Sequence, residues 1–231
     1  MNAGPIRERG KTLFGKLFAQ KTIRATLASA FLLACVGVAT AEDGDLARGE
    51  QLYALCTKCH MTNGAGNSEA LAPAIAGMPS WYVETQLKNF ANGIRGLHAQ
   101  DTGGLRMYPM SRWLRSEADQ KAVAAYVASM TPIRPSKELE AEGNAAVGAG
   151  YYAVCSGCHG AAGEGNQGMG APPLAGQSDW YLLSSIQKYR AKIRGSGAGD
   201  PYGVAMQAMV GTLADEAAIV DVIAHIESLG D

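Results

Sequence analysis

Two C-x-x-C-H segments are the residues of this sequence whose types and spacing most clearly predict chemistry. On the first turn of a helix, two cysteines three positions apart face the same side, so each can add to one vinyl group of a single haem. The adjacent histidine then lies under the iron. The segments predict two covalently bound haem c groups, with cysteine attachment points Cys56, Cys59, Cys155 and Cys158 and iron ligands His60 and His159.

Disulfides and zinc sites are the alternative interpretations of these cysteine pairs. The histidine directly after each pair argues against a disulfide framework. A zinc site needs four ligands per metal at suitable positions. It would also leave unexplained a repeat of methionines in the chain.

That repeat is part of a longer one, because the chain aligns with itself after a shift of 99 residues without a gap. Tyr53-Ala54-Leu55-Cys56 falls on Tyr152-Ala153-Val154-Cys155, and Trp81-Tyr82 falls on Trp180-Tyr181. A fixed period of this kind indicates a duplicated domain. We predict an export signal over 1–41, a first domain over 42–132, a linker over 133–141 and a second domain over 142–231.

The repeat selects candidates for a sixth iron ligand. Methionines are usually packing residues, but Met107 and Met110 align with Met206 and Met209. A thioether is a soft ligand that favours ferrous iron. We predict that one methionine of each pair lies in a loop before the last helix and closes over the haem. The repeat alone does not choose between the two.

The elements that position these residues are predicted to be helices, which gives an all-α fold. Ser80 and Asp179 are good N-caps for helices over Trp81–Phe90 and Trp180–Arg190. Apolar residues at helical spacing predict a last helix in each half. The stretches between are rich in Gly, Pro and Asn and show no sustained strand alternation.

The first 41 residues predict export to the periplasm. Six basic residues accompany the apolar run Leu27–Val38, and Ala39-Thr40-Ala41 fits a small-residue cleavage site. Cleavage after Ala41 is the prediction. The alternatives are a retained membrane anchor and lipid attachment at Cys35.

Charge excludes one class of partner. Residues 142–231 carry four basic and nine acidic groups, and removal of the export signal makes the whole chain acidic. An acidic protein is a poor binder of nucleic acid. We expect the acidic second half to dock on a basic partner, with association slowing as salt rises.

Together these motifs resemble the dihaem cytochrome c4 family, whose members are two tandem class I cytochrome c domains. The resemblance covers residues 44–231. In that family, the methionine seven residues before the leucine of an L-x-[DE]-[DE]-like segment ligates iron. Leu213-Ala214-Asp215-Glu216 matches that segment and Leu114-Arg115-Ser116-Glu117 is a looser copy. The resemblance therefore implies Met107 and Met206 as axial ligands, with Met110 and Met209 as alternates.

The resemblance also implies supporting contacts around each haem. The carbonyl of Pro73 or Pro172 accepts the other ring N–H of the ligating histidine, which fixes its tautomer. Gly49 and Tyr53 meet Tyr126, while Gly148 and Tyr152 meet His225. From their residue types, Trp81, Tyr82, Trp180 and Tyr181 are expected to pack on haem edges, and Arg95 and Arg194 either to pair with haem propionates or to be solvated.

A haem with both axial positions filled by protein leaves no open site for a substrate. The sequence therefore predicts an electron carrier rather than an enzyme. The resemblance implies a quinol-oxidising complex or dehydrogenase as donor and a terminal oxidase or periplasmic reductase as acceptor. One alternative is a haem-bearing subunit of a larger membrane-bound oxidoreductase. Another is a dihaem peroxidase, which needs an exchangeable ligand on one iron.

Overall fold

A computed structural model describes residues 1, 2, 4 and 41–230, with side chains of the long segment from residue 45 onward. The apolar run and Cys35 of the predicted export signal lie outside the described residues. Within the described part, no helix has the length and apolar character needed to cross a membrane.

Each half consists of helices joined by long loops. The first half contains α1 (Ala41–Tyr53), α2 (Thr57–His60), α3 (Ser80–Ala91), α4 (Thr102–Trp113) and α5 (Glu117–Ser129). The second contains α6 (Ala145–His159), a 3-10 turn (Gln167–Met169), α7 (Asp179–Arg190), α8 (Pro201–Val210) and α9 (Glu216–Leu229). The only β structure among the described residues is two isolated bridges, Asn67 with Ala72 and Asn166 with Ala171. The all-α prediction is confirmed.

The first and last helices of each half pack against one another, α1 on α5 and α6 on α9. In the first half the rings of Tyr53 and Tyr126 lie 5.4 Å apart. In the second half Tyr152 meets His225 with ring centres 5.2 Å apart. A glycine lies at each crossing because a Cβ at Gly49 or Gly148 would collide with the facing helix backbone.

Adding a Cβ at the second crossing is expected to destabilise the protein. In Gly148→Ala the new methyl group meets the carbonyl oxygen of Asp221, and such overpacking costs about 1–3 kcal/mol. Gly150 lies two residues further along the same helix and faces open space. Gly150→Ala is therefore the matched control, and it should stabilise by up to about 1 kcal/mol. Denaturant titration of both holoproteins measures the difference, and equal midpoints would contradict a close crossing.

The linker is held by the second half. Asp179 is buried, and its Oδ2 accepts hydrogen bonds from the amides of Glu138 and Leu139, both at 2.8 Å.

The two predicted N-caps lie one position inside their helices. Ser80 and Asp179 are the first helical residues, and neither Pro79 nor Ser178 before them caps the helix with a side chain. The carboxylate of Asp179 binds the linker and the amide of Trp180 instead.

Candidate functional site

The two histidines of the C-x-x-C-H segments are buried and held in the same way. His60 Nδ1 donates to the carbonyl of Pro73 at 2.9 Å, and His159 Nδ1 donates to that of Pro172 at 2.8 Å. Burial lowers the pKa of both histidines, although the bond to the carbonyl works in the opposite direction. Each ring is therefore neutral at pH 7, with Nε2 as the nitrogen left free to bind a metal.

The two cysteines of each pair lie one helical turn apart, with their sulfurs not joined in a disulfide. Cys56 is half-buried at the end of a turn and Cys59 is exposed on α2, whereas Cys155 and Cys158 are half-buried within the continuous helix α6. Burial raises the pKa of Cys56 to about 11 and also raises that of Cys155. Before haem is attached, these shifts would favour the thiol form of both cysteines at neutral pH.

The candidate methionines lie in helices and not in loops, so that part of the sequence prediction is wrong. Met107 and Met110 are in α4, and Met206 and Met209 are in α8. The reason is an N-cap that the sequence analysis missed: Asp101 accepts from the amide of Gly104, and Asp200 accepts from that of Gly203. Aspartate before Pro201 at the first helical position is a recognisable helix start.

A single cavity of about 650 Å³ extends through both halves. Both histidines line it, together with Cys56, Cys155, Cys158 and the four aromatic residues Trp81, Tyr82, Trp180 and Tyr181. In the first half Met107 lines the cavity and Met110 is not among its lining residues. In the second half both Met206 and Met209 line it. The structure thus brings the predicted ligands to one space and separates the methionine candidates in the first half.

Arginines and tyrosines join the two halves reciprocally. Arg95 Nη2 donates to the hydroxyl of Tyr181 at 3.0 Å, and Arg194 Nη2 donates to that of Tyr82 at 3.4 Å. Each guanidinium also lies 4.6 Å from an aromatic ring of its own half, Arg95 over Phe90 and the equivalent Arg194 over Tyr189. Neither arginine is a solvated surface cation. The sequence predicts the tyrosines at the haem edges and leaves the arginines either at the propionates or in solvent. It does not predict that these residues meet across the two halves.

These cations change the acidity of the hydroxyl between them. Burial raises the pKa of Tyr181, but the charges of Arg95 and Arg194 outweigh it and lower the value to about 7. The Nε atom of Arg95 is buried and has no hydrogen-bond partner among the residues that the structure describes. An unpaired guanidinium N–H in the wall of an apolar cavity suits a carboxylate. The residues present therefore fit a haem, whose apolar ring carries two carboxylates.

A second contact between the halves has no counterpart on the other side. Lys188 Nζ lies 2.8 Å from Oδ1 of the buried Asp101. The residues equivalent to this pair after the 99-residue shift are Asn89 and Asp200. Burial raises the pKa of Asp101, but Lys188 foremost, then Arg95 and the Gly104 amide, reverse this and hold the pKa below its ordinary value. The pair therefore stabilises the fold above about pH 4, and this contribution is lost as the pH falls through the lowered pKa.

Removing the cation of this pair should destabilise the protein in a pH-dependent way. Lys188→Met leaves the Asp101 carboxylate buried without its main partner, which costs about 1–3 kcal/mol at pH 7. The cost should shrink toward pH 4, where the carboxyl can take up a proton. Urea titrations of the holoprotein at the two pH values measure both effects. Lys121→Met on the exposed face of α5 is the control, and a loss that is independent of pH would contradict the assignment.

Comparison with known proteins extends these observations. A family model described as cytochrome c matches residues 46–131 and 145–230. A Thiomonas intermedia protein named thiosulfate dehydrogenase electron acceptor is 32% identical over 160 residues, which is 65% of this chain and 68% of the relative. Cytochrome c4 of Azotobacter vinelandii is 30% identical over 160 residues, 65% of this chain and 75% of the relative.

Two solved structures resemble the chain as well. Reduced recombinant cytochrome c4 from Pseudomonas stutzeri superposes with a TM-score of 0.60 at 24% identity, covering 79% of this chain and 97% of the other. The as-isolated thiosulfate dehydrogenase TsdBA from Marichromatium purpuratum superposes with a TM-score of 0.63 at 28% identity. That match covers 78% of this chain but only 39% of the larger protein. With the two family matches, these relatives confirm two covalently bound haem c groups, one in each half.

Proposed function

Because this chain belongs to the cytochrome c family, as a dihaem electron-transfer protein like cytochrome c4, we propose that it works in the periplasm and passes single electrons between redox proteins. The observation that carries the proposal is the equivalence of the two sites. Each half brings a buried histidine, fixed through Nδ1 to a proline carbonyl, to the same cavity as a methionine of α4 in the first half or of the equivalent helix α8 in the second. The histidine, its proline carbonyl and a cavity-lining methionine occur in both halves, whereas an enzyme with one reactive haem would need an exchangeable ligand in one of them.

The proposed iron ligands are His60 with Met107 in the first half and His159 with Met206 in the second. Each bound haem supplies a one-electron iron couple. The chain fixes each imidazole in the tautomer that presents Nε2, and a thioether from α4 or α8 would be the second protein ligand. A haem held by two side chains would leave no site on the iron for a substrate and would supply one-electron transfer.

The proposed donor is a thiosulfate-oxidising dehydrogenase, and a quinol-oxidising complex is the second candidate. The support is the relative named thiosulfate dehydrogenase electron acceptor and the likeness to part of a thiosulfate dehydrogenase structure. The proposed acceptor is a terminal oxidase. A relative in Sinorhizobium medicae, 31% identical over 129 residues, is named a cbb3-type cytochrome c oxidase subunit.

Stopped-flow reduction of the holoprotein tests the donor. A purified thiosulfate dehydrogenase with thiosulfate should reduce both haems, and the same mixture without thiosulfate is the control. Reduction only by a quinol-oxidising complex would change the proposed donor but leave the proposed function as an electron carrier unchanged. Rapid consumption of hydrogen peroxide by the purified chain, in place of electron transfer, would contradict the proposal and favour a peroxidase.

A haem-bearing subunit of a larger oxidoreductase is the second candidate function. The observation that favours it is that the TsdBA chain is much longer than the part that this chain matches. Purification from membranes in mild detergent separates the two possibilities. A carrier is recovered alone, whereas a subunit is recovered in fixed ratio with a catalytic chain. Cell fractionation in the same preparation tests the periplasmic location.

A further inference from the structure

The rim of the cavity in the second half is apolar and exposed. Four large side chains line the cavity there and are 39–52% exposed: Val154 at 52%, Met169 at 50%, Tyr202 at 51% and Met209 at 39%. Two of the four are neighbours in space, because the ring of Tyr202 lies against Gly170, the residue that follows Met169. We call the surface of these four residues, with the exposed Gly157 and Ala205, the second mouth.

The repeat provides a direct comparison with the first half. Lys58 and Arg106 occupy the positions of Gly157 and Ala205. Ala70 and Gly103 occupy those of Met169 and Tyr202. Both cations are exposed, and Arg106 donates to the carbonyl of Ala70 at 2.7 Å. The second half has thus lost two positive charges and gained two large apolar side chains at equivalent places.

The exposed rim of the cavity in the second half carries no acidic side chain: Gln167 is polar but uncharged, and Asp200, which also lines the cavity, is half-buried. None of the exposed residues that line the cavity in the second half is charged. Asp200 and Asp215 cap helices α8 and α9, and Asp179 binds the linker. The net negative charge of residues 142–231, which predicts a basic partner, is therefore a property of the domain as a whole and not of the rim of its cavity.

We propose that the second mouth is the docking surface for a redox protein whose contact surface is itself apolar and uncharged around its cofactor. This inference rests on the proposed electron-transfer function. A partner that approaches the haem edge there removes apolar side chains from water without desolvating a charge. The six residues of the second mouth are fewer than the roughly 20–30 residues that each partner contributes to a standard stable interface. The complex is therefore transient, as an electron carrier requires, and its formation depends little on salt.

Electrodes coated with alkanethiol monolayers serve as the probe because no partner is identified. Gold coated with a methyl-terminated layer imitates an apolar partner, and a carboxylate-terminated layer imitates an acidic one. The test variants of the holoprotein are Gly157→Lys and Ala205→Arg, singly and together, which copy the first half. Both positions are exposed, and a Cβ at Gly157 meets no atom within 4 Å, so the fold tolerates them. Val147→Lys, a charge added at an exposed position of α6 outside the cavity, is the control.

The wild-type protein should give a voltammetric signal on the methyl layer that persists at high salt. The double variant should lose about tenfold in electroactive coverage there, because placing two cations against an apolar layer costs more than the 1.4 kcal/mol of a tenfold change. Val147→Lys should match the wild type. Equal coverage of the double variant and the wild type would overturn the docking proposal.

Two other results have separate meanings. A wild-type protein that exchanges no electrons with any layer or with a soluble reductant would overturn the proposed function itself. Sedimentation velocity tests whether a second copy of this chain is the occupant. Dimers in the wild type that disappear in the double variant would assign the second mouth to self-association and overturn the choice of a redox partner.

Discussion

Met107→Ala should abolish about half of the weak absorption band near ~700 nm that a sulfur–iron(III) bond gives, because one of the two haems would lose the proposed thioether ligand. The vacated iron should then bind carbon monoxide or cyanide, which the wild-type protein should bind poorly. Its reduction potential should fall, since the soft thioether favours ferrous iron. Optical spectra of the oxidised holoprotein with and without cyanide measure these effects.

Met110→Ala is the matched control on the same helix. Met110 is half-buried and is not among the cavity-lining residues. Its loss should cost only packing, below about 2 kcal/mol, and leave the band intact. The reverse pattern, with the band lost in Met110→Ala and kept in Met107→Ala, would place the ligand one helical turn away.

In the second half the equivalent variants, Met206→Ala and Met209→Ala, decide between two methionines that the structure does not separate. Met206 and Met209 both line the cavity, and Met209 is 39% exposed. We expect Met206→Ala to remove the other half of the band and Met209→Ala to leave it. If none of the four variants affects the band, methionine ligation is wrong in both halves and the peroxidase interpretation returns.

Arg194→Gln should lower the reduction potential of one haem by an amount on the order of tens of millivolts, the Coulomb effect of one charge at an effective dielectric constant near 20. Arg194 is only 7% exposed, so water screens it little. A buried cation beside the haem cavity favours the ferrous state, which carries one positive charge fewer than the ferric state. Removing it should therefore favour oxidation. Spectroelectrochemical titration of the holoprotein measures the shift.

The control for this variant is Arg106→Gln. Arg106 is a cation on α4, but its side chain is exposed and does not line the cavity. Solvent screens its charge, so its removal should change the potentials little. Arg194 also donates from Nη1 to the hydroxyl of Ser185 at 3.2 Å. Unchanged potentials in Arg194→Gln would mean that the guanidinium acts only through its hydrogen bonds to the hydroxyls of Ser185 and Tyr82.

The sequence predicts the chemistry of the site better than its local structure. The C-x-x-C-H segments and the shift of 99 residues are enough to expect two haems, because residue identity alone specifies covalent attachment. The pairs of methionines were found through the same repeat. Their helices were missed because Gly103, Gly104 and Pro109 read as loop residues, whereas Asp101 and Asp200 act as N-caps that start helices.

Contacts between the halves were beyond sequence reasoning for a different reason. Nothing in the spacing of Arg95 and Tyr181 shows that they meet, since their contact depends on how two folded domains lie together. Asp179 was expected to cap its own helix, and it binds the linker instead. Both are long-range choices that local preference does not encode.

The reciprocal pairs, Arg95 with Tyr181 and Arg194 with Tyr82, have the form of a two-fold symmetric dimer interface. In such an interface one surface patch meets its own copy, so a single unfused domain could have formed it with a second molecule before the duplication. Fusion then allows the two copies of the patch to diverge. Lys188 with Asp101 is a one-sided contact of the kind expected of that divergence, because in the identical pair every contact would occur twice. The hydrogen bonds of Ala74 with Gln177 and Ser178 are also one-sided.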